Sequence, residues 1–133
     1  MKRLDERTFV AGQIRQEDMP AIIAAGVTGL INNRPDGEEP GQPSAAELAS
    51  AAEAAGLTYR YVPMAGGLSP ELVGEMAEAM AEAEGPVLAF CRSGTRSTYL
   101  WALAEAQRGV AGDELISKAA TAGYDLSPIA RFL

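Results

Sequence analysis

A chain of 133 residues, 47% of them hydrophobic, has the material to bury the core of one domain. Eighteen acidic against eleven basic residues leave a net charge of −7, which argues against duplex nucleic acid or an anionic membrane as partner and makes any anion site a local arrangement. One cysteine excludes an internal disulfide, and without histidine a zinc or iron site would have to be built from carboxylates alone, so no metal and no cofactor is expected. The opening, MKRLDERTFV, lacks the apolar stretch of a signal peptide, and no apolar run approaches the roughly 18 residues of a membrane span; a cytoplasmic protein is expected.

In chain order, TFVAGQ (residues 8 to 13) predicts a short strand. A helix follows from near Asp18, where Pro20 is tolerated only in a first turn, to Gly26. VTGLIN (27 to 32) is apolar enough for a buried strand, and NNRPDGEEPGQP after it is a loop of turn formers. A helix is predicted over 44 to 55, with Ser44 and Glu47 at capping-box spacing and Gly56 at its end. LTYRYV (57 to 62) predicts a strand, and Ser69-Pro70 starts a helix that runs to Gly85 with its glutamates on a solvated face. PVLAF (86 to 90) is the most apolar strand, suited to the centre of a parallel sheet. After CRSGTRS, the segment TYLWALAEAQR predicts a helix ending at Gly109, with Trp101 in the core, and two shorter helices near 113 to 121 and 127 to 132 complete the chain. The alternation implies one α/β domain over 1–133, with a mainly parallel sheet of four to five strands flanked by helices. In such sheets ligands sit beyond the carboxyl ends of the strands, so the loops after 32, 62 and 90 should share one crevice.

FCRSGTRST (90 to 98) places the lone cysteine where a central strand gives way to a helix. A loop of this kind turns several backbone N–H groups into one small space, and the helix dipole adds partial positive charge. Gly94 can take backbone angles closed to other residues, while Arg92 and Arg96 bring two guanidinium groups towards the same point. Cys91 at the mouth of this cradle would be favoured as thiolate without a histidine, and Ser97 or Thr98 could donate a hydrogen bond to its sulfur. A lone cysteine ending an apolar strand is ordinarily a small hydrophobe. Polar and basic residues with a glycine in the next five positions make that an odd core, and a functional thiolate is the stronger expectation.

C-R-S-G-T-R-S resembles the active loop of rhodanese-type sulfurtransferases and is similar to the phosphate loop of cysteine-dependent phosphatases, with Gly94 in the third place after the cysteine. It departs from the latter in having four residues, not five, between Cys91 and Arg96. VAGQIRQEDMPAIIAAGVTGLINNRPDGEE and EGPVLAFCRSGTRSTYLWAL resemble the phosphatase-like domain of beta-lactamase hydrolase-like proteins over nearly the whole chain. That resemblance implies a three-layer, dual-specificity-phosphatase-like fold carrying a rhodanese-like loop, in a family associated with sulfide oxidation and sulfane-sulfur transfer. It carries catalytic roles onto Cys91 and Arg96 and anion binding onto Arg92, Ser93, Gly94, Thr95 and Ser97.

Leaving groups separate the two chemistries. A phosphatase expels an alkoxide or phenoxide that an acid should protonate, whereas sulfite leaves thiosulfate as a weak base. PMAGGLSP (63 to 70), where the acid would stand, has no carboxylate; Glu71, just beyond it, and Asp36, Glu38 and Glu39 on another loop are the candidates. The balance favours a sulfurtransferase that moves sulfane sulfur from thiosulfate or a persulfide through a Cys91 persulfide, with a persulfide-oxidising enzyme as candidate partner. The alternatives are a cysteine-dependent phosphatase and an inactive anion-binding module. Arg34 reads equally as a second contact to a small-molecule anion and as a turn residue; Asn32 and Asn33 read equally as loop braces and as solvent-facing polar residues. Gly66 and Gly67 fit a closing loop or a simple chain reversal.

Overall fold

The computed structural model describes residues 1–133. Strands β1 (Lys2–Arg3), β2 (Thr8–Ala11), β3 (Gly29–Asn32), β4 (Thr58–Tyr61) and β5 (Val87–Phe90) form one five-stranded sheet in the order β1-β2-β5-β3-β4. β2, β5, β3 and β4 are parallel, and β1 joins the edge antiparallel to β2 through the pairs Lys2 with Val10 and Arg3 with Phe9. β1 has no counterpart in the sequence reading, because two exposed basic residues carry no strand pattern. β5 is central, with all four of its residues buried.

Side-chain alternation along β5 divides the core between the two faces of the sheet. Leu88 and Phe90 pack with Phe9, Leu30 and the residues of α1 (Met19–Ala24) and α2 (Ala45–Ala54), including Met19, Ile22 and Leu48. Val87 and Ala89 pack on the other face with α3 (Pro70–Glu82), α4 (Thr95–Gln107) and α5 (Gly112–Ala122), through residues such as Met76, Leu100, Trp101 and Leu115. The result is a three-layer α/β fold. No helix is long and apolar enough to cross a membrane.

The expected caps operate. The Ser44 hydroxyl accepts from the Glu47 amide at 3.1 Å and starts α2; the Ser69 hydroxyl accepts from the Leu72 amide at 3.1 Å and starts α3. Trp101 is fully buried at a cost met by its indole N–H, which donates to Asp5 Oδ2 at 3.0 Å. Two boundaries shift. The chain enters α1 through a 3₁₀ turn at Gln16–Asp18, and α4 begins at Thr95 rather than at Thr98, so Arg96 and Ser97 belong to its first turn. Residues Ser127–Phe132 form a terminal 3₁₀ helix that seals the α4/α5 side with Ile129.

Because Leu88 is fully buried on the central strand, Leu88→Ala is expected to cost about 2–5 kcal/mol in urea unfolding. A loss under about 0.5 kcal/mol, the usual range for surface changes, would contradict its placement.

Candidate active site

The loops after β2, β5, β3 and β4 all leave from the carboxyl ends of parallel strands, and β5 stands between β2 and β3. That arrangement places Cys91 at the point where strand order reverses. The chain leaves β5 at Phe90 and is already helical at Thr95, a reversal that Gly94 makes possible with φ at 93°. The Gly94 amide turns inward and donates to Cys91 Sγ at 3.1 Å. The Gly94 carbonyl is held from the other side by the Thr98 amide at 3.0 Å and the Thr98 hydroxyl at 2.7 Å. A second strand exit supports the loop: the Gln13 amide donates to the Arg92 carbonyl at 3.2 Å. A Cβ on Gly12 would stand 2.9 Å from that same oxygen, so the approach needs glycine.

Cys91 lies at the floor of the cradle, not at its mouth, and is only 1% exposed. Its surroundings are polar nonetheless. The Gly94 amide touches its sulfur, and the Arg96 guanidinium is close enough that the sulfur contributes to raising the Arg96 pKa, behind the larger effect of the Glu38 hydrogen bond and against the cost of burial.

Arg96 is held by three acceptors. Nη1 donates to Glu38 Oε2 at 2.8 Å and to the Met64 carbonyl at 3.0 Å, and Nη2 donates to Glu38 Oε1 at 2.7 Å. Of its five N–H donors, the Nε–H and one on Nη2 remain for a ligand, a side-on fork suited to an oxyanion. Glu38 also accepts from Arg34 Nε at 3.0 Å, so one carboxylate bridges two guanidinium groups. These contacts, with the Arg96 hydrogen bond foremost, pull the Glu38 pKa from the ordinary 4.5 to about 2 despite the opposing effect of burial.

Several expectations are corrected. Arg34 neither reaches the cradle nor acts as an exposed turn residue: it is 1% exposed, with Nε on Glu38, Nη1 on Gln13 Oε1 at 2.9 Å and Nη2 on Glu39 Oε1 at 2.9 Å. Burial without full pairing would leave its charge uncompensated, and this network satisfies it. Arg92 points outward, its side chain 71% exposed and 4.0 Å from Glu39, so only one guanidinium converges on the sulfur. Asp36 is tied to the start of α2, its Oδ1 accepting from the Ala45 amide at 2.7 Å. Glu71 is exposed in the first turn of α3 and takes part in none of the cradle's hydrogen bonds. Thr98 donates to Gly94, not to the sulfur, and the buried Ser97 hydroxyl has no partner. Ser93 is exposed, and its hydroxyl donates to the half-buried Thr95 hydroxyl at 3.0 Å.

Asn32 and Asn33 are braces. Asn32 accepts from the Arg34 amide at 2.9 Å and donates to Tyr59 at 3.0 Å, while Asn33 donates to the Val62 carbonyl at 2.9 Å. Sequence reasoning missed Gln13, which ties the cradle backbone to Arg34, and Tyr124, whose hydroxyl donates to the Ser93 carbonyl at 3.0 Å. Neither has a motif around it. The one legible signal was Gly123 before Tyr124, a helix-ending glycine that turns the chain towards the cradle.

A family model described as beta-lactamase hydrolase-like protein, phosphatase-like domain, matches residues 1–108. A beta-lactamase hydrolase-like protein of Agrobacterium fabrum is 42% identical over 133 residues, covering 98% of this chain and 31% of its own length. One from Xylella fastidiosa strain Temecula1 is 38% identical over 125 residues, covering 92% of this chain and 29% of its own. The chain thus spans about a third of the length of these curated relatives. Among solved structures, a candidate phosphatase of Neisseria meningitidis Z2491 superposes with a TM-score of 0.85 at 35% identity, over 98% of this chain and 93% of that one. The active form of Tk-PTP has a TM-score of 0.75 at 18% identity over 98% and 90% of the two chains, and shares the fold.

The depressed Glu38 pKa has a consequence for stability. A carboxylate that ionises more readily folded than unfolded stabilises the fold above its unfolded value, and that contribution is lost as pH falls from about 4.5 to about 2. Glu38→Gln is expected to be less stable than the parent at pH 6, by on the order of 1 kcal/mol given partial solvent screening, with the gap reduced by roughly half at pH 3. Urea titrations at the two pH values check this; an equal gap at both would contradict the ion pair.

Proposed function

Because the chain belongs to the family of phosphatase-like domains of beta-lactamase hydrolase-like proteins, we propose that it is a cysteine-nucleophile enzyme that cleaves small phosphate monoesters through a Cys91 phosphocysteine. The observation that carries the reading is the Gly94 amide directed at Cys91 Sγ, with the Arg96 guanidinium near the same sulfur and its Nε–H not taken by Glu38. The Cys91 thiolate attacks phosphorus, the ester P–O bond breaks, and the leaving oxygen departs with the electron pair. Water then attacks the phosphocysteine and releases inorganic phosphate and the thiolate. The Gly94 amide holds the sulfur, and the Arg96 fork meets the charge that grows on the phosphoryl oxygens. The name of the Neisseria meningitidis relative as a candidate phosphatase supports the same choice.

The acid is the weak point of a phosphatase here, and it narrows the substrate. The carboxylate nearest Arg96 is Glu38, which is ionised at neutral pH and holds two guanidinium groups, while Asp36 is engaged at α2. An ester whose oxygen leaves without a proton, such as an aryl phosphate, therefore suits the site better than an alkyl phosphate.

The four-residue spacing between Cys91 and Arg96, which resembles the rhodanese-type loop, supports a second reading: sulfur transfer. In that reaction the thiolate attacks the outer sulfur of thiosulfate, the S–S bond breaks, and sulfite leaves with the electron pair and no proton. The resulting persulfide passes its outer sulfur to an acceptor thiolate. A persulfide-oxidising enzyme would be the fitting recipient, in the cytoplasm.

Incubation with p-nitrophenyl phosphate and with thiosulfate, side by side, separates the readings. Released phosphate, blocked by vanadate, is expected from the first; a stable gain of one sulfur atom on Cys91 in intact mass would replace it with the second. Cys91→Ser is expected to abolish turnover. Arg96→Lys, which loses the planar fork, is expected to lower kcat/KM about 10- to 100-fold. Full turnover in Cys91→Ser would end both readings.

A further inference from the structure

The Ser93–Gly94 peptide is gripped on both edges. Its nitrogen edge donates to Cys91 Sγ at 3.1 Å, and its oxygen edge accepts from the Tyr124 hydroxyl at 3.0 Å. The chain has no cis peptide bond, and in a trans peptide C=O and N–H point in opposite directions. Fixing the oxygen therefore fixes where the N–H points. We propose that Tyr124 is a positioning residue for Cys91, acting through this peptide to hold the Gly94 amide on the sulfur.

Three further observations support the assignment. First, Tyr124 is delivered by local structure. The Gly123 amide donates to the Ala120 carbonyl at 3.0 Å and the Tyr124 amide to the Ala119 carbonyl at 2.8 Å, with Gly123 at φ 97°, a paired helix ending that throws the next side chain back across the helix end. Leu115 and Ala119 bury α5 against α4, so the tyrosine stands on a packed element. Second, the fit is tight. A Cβ on Gly94 would stand 2.2 Å from the Tyr124 hydroxyl oxygen, so glycine at 94 serves the approach of the phenol as well as the positive φ. Third, the Tyr124 phenol has its pKa raised, first by burial and then by the charge of Cys91, which places ring and sulfur within electrostatic reach of each other. Without the hydroxyl, the peptide could rotate between Cys91 and solvent, and the amide's dipole would be averaged away from the sulfur.

The proposal rests on Cys91 being the reactive group, and its test reads the thiol directly, so it needs no substrate. The rate of Cys91 alkylation by iodoacetamide is measured against pH in the parent, in Tyr124→Phe, which keeps the ring, and in Tyr124→Leu, which loses ring and hydroxyl. The expected result is an upward move of the profile's midpoint by about one pH unit in both variants, about tenfold slower alkylation on its acid limb. Tyr124→Phe is expected to keep the parent's melting temperature. A Tyr124→Phe profile that overlays the parent would overturn the proposal, as would a midpoint that moves in Tyr124→Leu alone, which would mark the ring as packing and the hydroxyl as idle. If neither phosphatase nor sulfurtransferase turnover is found while the midpoint moves as expected, the enzymatic reading fails and the positioning role stands.

Discussion

The hydrogen bond from the Gly94 amide to the Cys91 sulfur sets the requirements that the surrounding structure meets. For the amide to face back at the cysteine, the chain must turn from strand to helix within four residues, which demands a positive φ at 94 and hence glycine. The strand that delivers the cysteine must be rigid, and β5 is the central and fully buried strand of the sheet. The helix that receives the chain must present its N-terminus to the sulfur, and α4 does so with its first turn anchored by the Thr98 hydroxyl on the Gly94 carbonyl. Each of these features is ordinary alone, and together they give polar contacts to a sulfur that is only 1% exposed.

Charge is organised around the same point. In a chain with net charge −7, Glu39, Arg34, Glu38 and Arg96 form a line of alternating sign leading from the loop after β3 to the cradle. Its inner end fixes the Arg96 terminal edge and leaves the side edge open, so Arg96 is orientated by a carboxylate without being consumed by it. The arrangement excludes Glu38 as a proton donor near neutral pH, since the guanidinium contacts that make it useful for orientation hold it ionised. Orientation and general acid catalysis compete for the same side chain, and here orientation prevails.

Much of this was legible in the amino acids. The apolar run PVLAF announced the central strand, Ser44 and Ser69 announced their helices, and CRSGTRS announced the tight turn from strand to helix around the cysteine, because each rests on interactions between near neighbours in sequence. Position along the chain could not reveal which way a side chain turns. Arg92 and Arg96 look equivalent in the sequence, yet one faces solvent and the other the sulfur, because Arg96 falls in the first turn of α4 and meets Glu38, 58 residues away. Arg34 and Asp36 looked like free loop groups until tertiary contacts with Gln13 and the α2 terminus claimed them. Strand β1 was hidden for the opposite reason, since an edge pair of exposed basic residues has no pattern to read.

The most direct measurement is a crystal structure of the protein grown with tungstate, an oxyanion of the same tetrahedral shape as phosphate. The account predicts the ion over Cys91 Sγ, with its oxygens on Arg96 Nε and Nη2, while the Gly94 amide stays on the sulfur and Glu38 keeps the opposite edge. An empty cradle, or an ion seated on Arg92 or Arg34 away from the sulfur, would contradict it.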